Sequence, residues 1–313
     1  MDQPWVTFCI STYRRPDFLR KQIQLLLQQT FKHFEIVVSD NDPDASAEEV
    51  VASCNDKRVR YFHNSGNLGM IKSFNKSIDR AETDYIVMVT DDDPIEHQFL
   101  ADFYELYKKY PGYSIYCGFL RSATKPREVE IIDKNDFIQE ILDPDRTYSL
   151  LWSSSVMRRS DAIEIGRIPD YGSPHLADHA LIVMTGSKSG GVVLNKMYSS
   201  LTLHDNNFSK ANFDAYAKGC EGFYKTLDAF CKASSHYSKS RQAVIKHLGK
   251  WFISAVLSLK KYYTRRKYDP TMLKEVNEFA DTILNLSFMK RWRLRYQVKT
   301  ILFHIKRTVG ILR

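Results

Sequence analysis

Four short apolar runs, at residues 6–10, 34–39, 59–63 and 85–90, punctuate the first 110 residues of the chain. Segments at 16–29, 47–54, 70–82 and 99–109 follow them, with apolar residues at the three-to-four-residue spacing of helices. A run such as Tyr85-Ile-Val-Met-Val89 has no polar alternation, which predicts a strand covered on both faces. Such strands alternating with helices predict an α/β fold with a mostly parallel central sheet and helices on both sides. Pro16 suits the first turn of the first helix, where its missing N–H costs nothing. Sheets of this kind bind ligands beyond the carboxyl ends of their strands, so the residues after each run are the candidates for function.

Those residues are Ser11-Thr12-Tyr13-Arg14, Asp40-Asn41-Asp42 and Asp91-Asp92-Asp93. Three consecutive carboxylates at the end of a buried strand repel one another and call for a cation. A hard divalent ion such as Mg²⁺ or Mn²⁺, completed by substrate phosphates, supplies one. The plainer alternative is that Asp93, before Pro94, caps the next helix while its neighbours are solvated.

The segments Val6-Thr-Phe-Cys-Ile-Ser-Thr-Tyr-Arg-Arg-Pro16, Gln29-Thr-Phe31, Phe34-Glu-Ile-Val-Val-Ser-Asp-Asn41, Asn67-Leu-Gly69 and Val89-Thr-Asp-Asp-Asp93 together resemble the family 2 glycosyltransferases of the GT-A fold. The resemblance spans about residues 5–110 and continues more loosely to about 209. It implies metal-assisted, inverting transfer of a sugar from a nucleotide-sugar donor. It also implies that Thr12, Arg14, Asp40, Asn67 and Asp91 bind the nucleotide-sugar, with Asp40 accepting from the base and Arg14 neutralising phosphate. Asp92 matches the metal carboxylate of the family's D-x-D signature, with Asp91 beside it, and the resemblance implies Asp92 and Asp93 as metal ligands. The first Asp of the usual signature falls at Thr90, so the local pattern is T-D-D-D.

Two later segments extend the resemblance. Leu176-Ala-Asp178-His179 is similar to the E-D pair that supplies the catalytic base, with Ala177 in place of Glu. Asp178 is therefore the candidate base for an acceptor hydroxyl, or alternatively the cap of a helix from about Ala180. Leu203-His-Asp-Asn-Asn-Phe-Ser209 is similar to the family's H-x-x-N-x-S segment, implying that His204 approaches the metal or the diphosphate. Trp152 reads as a core residue beside the expected acceptor region, and Arg158 and Arg159 as ordinary surface charge.

Charge divides the chain unevenly. Residues 1–228 hold 26 Lys+Arg against 33 Asp+Glu, while residues 229–313 hold 19 against 4. After Asp281 there are eight basic residues and no acidic one. Leu294, Val298, Ile301, Ile305, Val309 and Leu312 recur there at helical spacing, with Trp292, Tyr296 and Phe303 alongside. A basic amphipathic helix of this kind reads as lying on an anionic membrane surface through residues 288–313. The alternative is that the stripe packs on the body. With no nucleic-acid-reading motif in view, nucleic acid is not an expected partner. Five cysteines without a C-x-x-C pair argue against a disulfide framework or zinc site.

The sequence thus predicts a catalytic GT-A domain at 1–210 and a basic helical region at 211–313. The expected cofactor is Mn²⁺ or Mg²⁺. The expected donor is a UDP-sugar, or a dTDP- or GDP-sugar, and the acceptor a lipid-linked glycan in bacterial surface-polysaccharide assembly. The expected location is the cytoplasm, peripheral on the inner face of the membrane. Two alternatives are a nucleotidyltransferase, disfavoured because residues 11–16 contain no glycine, and a non-catalytic glycan-binding scaffold.

Overall fold

Strands β1 (Val6–Thr12), β2 (Phe34–Asp40), β3 (Val59–His63) and β4 (Tyr85–Val89) form where the apolar runs predict them. The computed structural model describes residues 3–122, 124–202, 213–266 and 268–308. Every residue of β2 and β4 is buried, as unalternating runs require. Helices α1 (Pro16–Leu27), α2 (Glu48–Ser53), α3 (Met70–Arg80) and α4 (Phe99–Lys109) alternate with them.

The second half adds β5 (Ile115–Gly118), β6 (Val129–Ile132), α5 (Phe137–Leu142), β7 (Ser155–Arg158), α6 (Arg159–Glu164), α7 (Ala177–Ser189) and β8 (Gly191–Leu194). All eight strands join one sheet in the order β3-β2-β1-β4-β7-β5-β8-β6. β1 is parallel to β2 and β4, β2 to β3, and β5 to β8. β7 runs antiparallel to both β4 and β5, so those two strands point the same way. α7 runs directly into the start of β8, which pairs with the start of β5, so the first turn of α7 lies at the carboxyl end of the sheet.

Alternation along β1 feeds two cores. Phe8 and Ile10 pack with Leu19 and Ile23 of α1 and Phe99 and Phe103 of α4. Cys9 faces the other way, toward Phe74 and Ile78 of α3. That second core continues through Leu181 of α7 into α8 (Phe213–Cys231), α9 (Tyr237–Lys261) and α10 (Pro270–Asn285). Helix α10 starts with Asp269 accepting from the Met272 backbone N–H at 3.0 Å, ahead of Pro270 in its first turn.

Just before the last helix, α11 (Arg293–Thr308), Trp292 packs on α9 at Gly249. A Cβ there would lie 1.9 Å from Cε2 of Trp292, so only glycine admits the indole. Tyr296 is also buried, its hydroxyl accepting from Lys260 Nζ at 2.8 Å. Both aromatics were expected to flank a membrane-facing stripe; they pack on the body instead, because the helix turns that edge toward α9. The stripe itself does not pack on the body: Leu294 is 71% exposed and Ile301 57%, with Val298, Leu302 and Ile305 also exposed. Val309 and Leu312 lie outside the described residues. Among the described residues, no helix is long and apolar enough to cross a membrane.

Candidate active site

The carboxyl ends of β1 and β4 bring Thr12 and the acid triplet together. Thr12, buried at the last position of β1, donates its hydroxyl to Asp91 Oδ2 at 2.8 Å. Arg15 then spans two carboxylates, donating from Nη1 to Asp91 Oδ1 and from Nη2 to Asp92 Oδ2, each at 2.7 Å. Burial pushes the Asp91 carboxyl up to about 6, against the opposing pull of Arg15 and Thr12. A further positive charge at this point is therefore favourable.

Asp93 turns elsewhere. One oxygen accepts from Thr90 at 2.9 Å and the other from the backbone N–H of Thr202, also at 2.9 Å. Thr202 also donates its hydroxyl to the Asp92 carbonyl. Asp93 thus ties Thr202 to the end of β4, and it does not cap α4. His204, the remaining expected metal ligand, lies outside the described residues, as does the whole 203–209 segment.

The two neighbouring arginines separate because Arg14 adopts a left-handed backbone conformation, φ 54°. Arg14 goes to Asp42 and Asp44, at 3.1 Å each, and its side chain is 56% exposed. Arg15 takes the position on the acid triplet. Sequence reasoning passed over Arg15, since nothing in a pair of adjacent arginines says which one faces inward.

Asp40 is fully buried and internally engaged. Its Oδ1 accepts from Asp42 N at 3.0 Å, and its Oδ2 from Ala47 N at 2.9 Å and Tyr61 Oη at 3.0 Å. The carboxylate thus holds the turn after β2 in the structure. Asn67 Oδ1 accepts from Asn41 Nδ2 and Gly69 N, both at 2.9 Å, so it shapes the loop leading into α3.

Asp178 sits in the first turn of α7, which begins at Ala177 and not near Ala180. The residue before the helix is Leu176, left-handed at φ 65° and buried, so Asp178 is not the cap. A strained non-glycine residue next to a candidate base fits the concentration of such strain at functional sites. The Asp178 carboxylate is partly exposed, with His179 Nε2 3.8 Å from its Oδ2. Trp152 packs on Phe74 with ring centroids 4.8 Å apart, as a core residue. Arg158 and Arg159 bond to backbone carbonyls of Tyr113, Ile78 and Asp79.

The family model for Glycosyl transferase family 2 matches residues 7–166, just over half of the chain. The protein is a family 2 glycosyltransferase. An uncharacterized glycosyltransferase of Methanocaldococcus jannaschii is 36% identical over 97 residues, covering 30% of this chain and 33% of that protein. The GalNAc(5)-diNAcBac-PP-undecaprenol beta-1,3-glucosyltransferase of Campylobacter jejuni is 30% identical over 95 residues, 29% of this chain and 31% of its own length. The matched stretch spans about a third to two fifths of the first of these curated relatives. The glycosyltransferase also shares its fold with S. aureus TarS 1–349 solved with UDP-GlcNAc, at TM-score 0.62 and 15% identity over 88% of this chain and 90% of that one. It resembles the Pyrobaculum calidifontis mannosyltransferase PcManGT, solved with GDP-Man and Mn²⁺, at TM-score 0.58 and 11% identity, covering 96% and 87%. The GT-A-like architecture expected from the sequence is thus present, a mostly parallel eight-stranded sheet with helices and a C-terminal helical region.

Proposed function

We propose that this glycosyltransferase moves a sugar, with inversion, from a nucleotide-diphosphate donor to a hydroxyl of a lipid-linked glycan in bacterial surface-polysaccharide assembly. The observation that carries the reading is the Thr12–Asp91–Arg15–Asp92 cluster, set at the same end of the sheet as Asp178. Thr12, Asn67 and Asp91 line the donor site, and Arg14 stands at its rim, where its exposed guanidinium can reach phosphate. Arg15 adds positive charge for the departing diphosphate. A UDP-sugar is the favoured donor, with dTDP- and GDP-sugars as alternatives.

Asp178 takes the proton of the acceptor hydroxyl as that oxygen bonds to the anomeric carbon. The bond from the anomeric carbon to the diphosphate oxygen breaks in the same step, and the nucleotide diphosphate leaves with the electron pair. Single displacement inverts the anomeric centre.

A divalent metal fits the donor chemistry of the site: hard carboxylate oxygens, one of them carried by a buried acid that burial leaves short of positive charge. Asp92 and Asp91 would hold Mn²⁺ or Mg²⁺, with Asp93 committed to Thr90 and Thr202. The described residues contain no ready cluster of three His, Cys, Asp or Glu, so donor phosphates would complete the shell. Bound there, the ion would offset charge on the diphosphate.

The exposed stripe of α11, with Arg293, Arg295 and Lys299 on the same helix, supports peripheral binding to an anionic membrane surface. The test follows label from UDP-, dTDP- and GDP-hexoses into butanol-extractable glycolipid with Mn²⁺ present. Wild type transfers label from one donor, and Asp178→Asn loses about 10²–10⁴-fold of that rate while binding the nucleotide as before. Normal transfer by Asp178→Asn removes the base from this reading, and no transfer from any donor contradicts the whole of it.

A further inference from the structure

A cleft of about 290 Å³ lies between α9 and the strap 144–150, with His179 and His247 among its lining residues. The strap is held beyond the carboxyl end of β5, where Tyr148 N donates to the Leu120 carbonyl at 2.8 Å. The first turn of α7, with Asp178 and His179, lies at that same end. The cleft is therefore beside the proposed base. Its α9 wall, with Lys250, Trp251 and Ser254, lies outside the residues matched by the family model.

The two histidines fix each other's protons. His179 Nδ1 and His247 Nε2 are 2.9 Å apart, so one of them carries the hydrogen between them. His247 is partly buried, and burial pushes its imidazole well below its ordinary value. The other ring nitrogen of His179, Nε2, lies 3.8 Å from Asp178 Oδ2. A hydroxyl placed between them donates its one hydrogen to Asp178 and accepts from His179 in the tautomer that carries Nε2–H.

The geometry points to this cleft as the seat of one sugar ring of the acceptor, its reacting hydroxyl directed between Asp178 and His179. The inference rests on Asp178 being the base. The walls suit a carbohydrate. Tyr148, 64% exposed, and Trp251 offer aromatic faces for the C–H side of a pyranose. Ser254 and Lys250, the latter also donating to the Pro144 carbonyl, offer polar groups for its hydroxyls. The volume is at the small end of ligand pockets, roughly 300 Å³, which favours a single ring over an extended chain. Acceptor choice is thereby assigned to α9 and the strap, and donor choice to the ends of β1 and β4.

Saturation-transfer NMR on the full chain tests this. The probes are the methyl glycosides of glucose, galactose, N-acetylglucosamine, N-acetylgalactosamine and rhamnose, with and without nucleotide diphosphate and Mn²⁺. At least one glycoside should receive saturation in the wild type. Its signal should fall at least fivefold in Tyr148→Ala and in Ser254→Trp, both changes at exposed positions, with nucleotide affinity kept within twofold. No saturation of any glycoside, or full signal in both variants, overturns the proposal. Loss of nucleotide binding in the wild type contradicts the donor-site reading instead, and the nucleotide-free spectra still decide the cleft.

Discussion

Arg15 and Asp91 meet at 2.7 Å at the mouth of the sheet, the same guanidinium reaching Asp92 with its other nitrogen. The chain thus carries its own cation at the place where a donor's metal and diphosphate would bring charge of both signs. The pair is only partly desolvated, Arg15 being 30% exposed and Asp91 4%, which moderates its worth.

Removing that cation leaves adjacent carboxylates uncompensated. Arg15→Ala should lower stability by about 2 kcal/mol in metal-free buffer. Added Mn²⁺ should raise the variant's Tm by more than it raises the wild type's, because the ion then supplies the missing charge. Thermal unfolding of both proteins across a Mn²⁺ titration checks this, and parallel curves would contradict it.

Two imidazoles set an acid limit. Burial depresses His175 to about 4, against the pull of Asp178, and holds His247 well below its ordinary value, with His179 and Lys250 adding repulsion. Both stay neutral in the fold while the unfolded chain binds protons below about pH 6.5. Their contribution is therefore complete above pH 7 and is lost as pH falls from about 6.5 toward 4. The expected slope is up to about 1.4 kcal/mol per pH unit for each group. Urea midpoints at pH 7.5, 6.0 and 5.0 measure it; His175→Gln and His247→Gln should each flatten the profile, and unchanged profiles would refute the assignment.

Much of this arrangement is legible in the sequence because each β1–β4 run carries its own boundary signals, and the residues after β1 and β4 gather as their positions imply. What stays hidden depends on backbone handedness and on distant partners. The φ of Arg14 decides which arginine meets Asp91. Asp40 accepts from Ala47 and Tyr61, contacts that need the folded turn. His179 and His247 are 68 residues apart and belong to different helices. In α11, periodicity marks an apolar stripe, but the glycine at 249 is what admits Trp292 inward, and Tyr296 follows it against Lys260 and Phe252.

The exposed stripe predicts a lipid preference. Full-length protein should sediment with phosphatidylglycerol vesicles and far less with phosphatidylcholine, and salt should weaken the binding. Leu294→Glu combined with Ile301→Glu should release it at least tenfold without shifting Tm by more than a degree or two, since both side chains are solvent-exposed. Undiminished binding by that variant would remove the stripe from the membrane contact.

Calorimetric titration of UDP, dTDP, GDP and CDP into wild type and Asp92→Ala, with and without Mn²⁺, tests the donor site most directly. One nucleotide should bind the wild type, bind more tightly with Mn²⁺, and lose that metal-dependent gain in Asp92→Ala. Binding of none of the four, or an equal Mn²⁺ effect in both proteins, would contradict a metal-assisted donor site at the ends of β1 and β4.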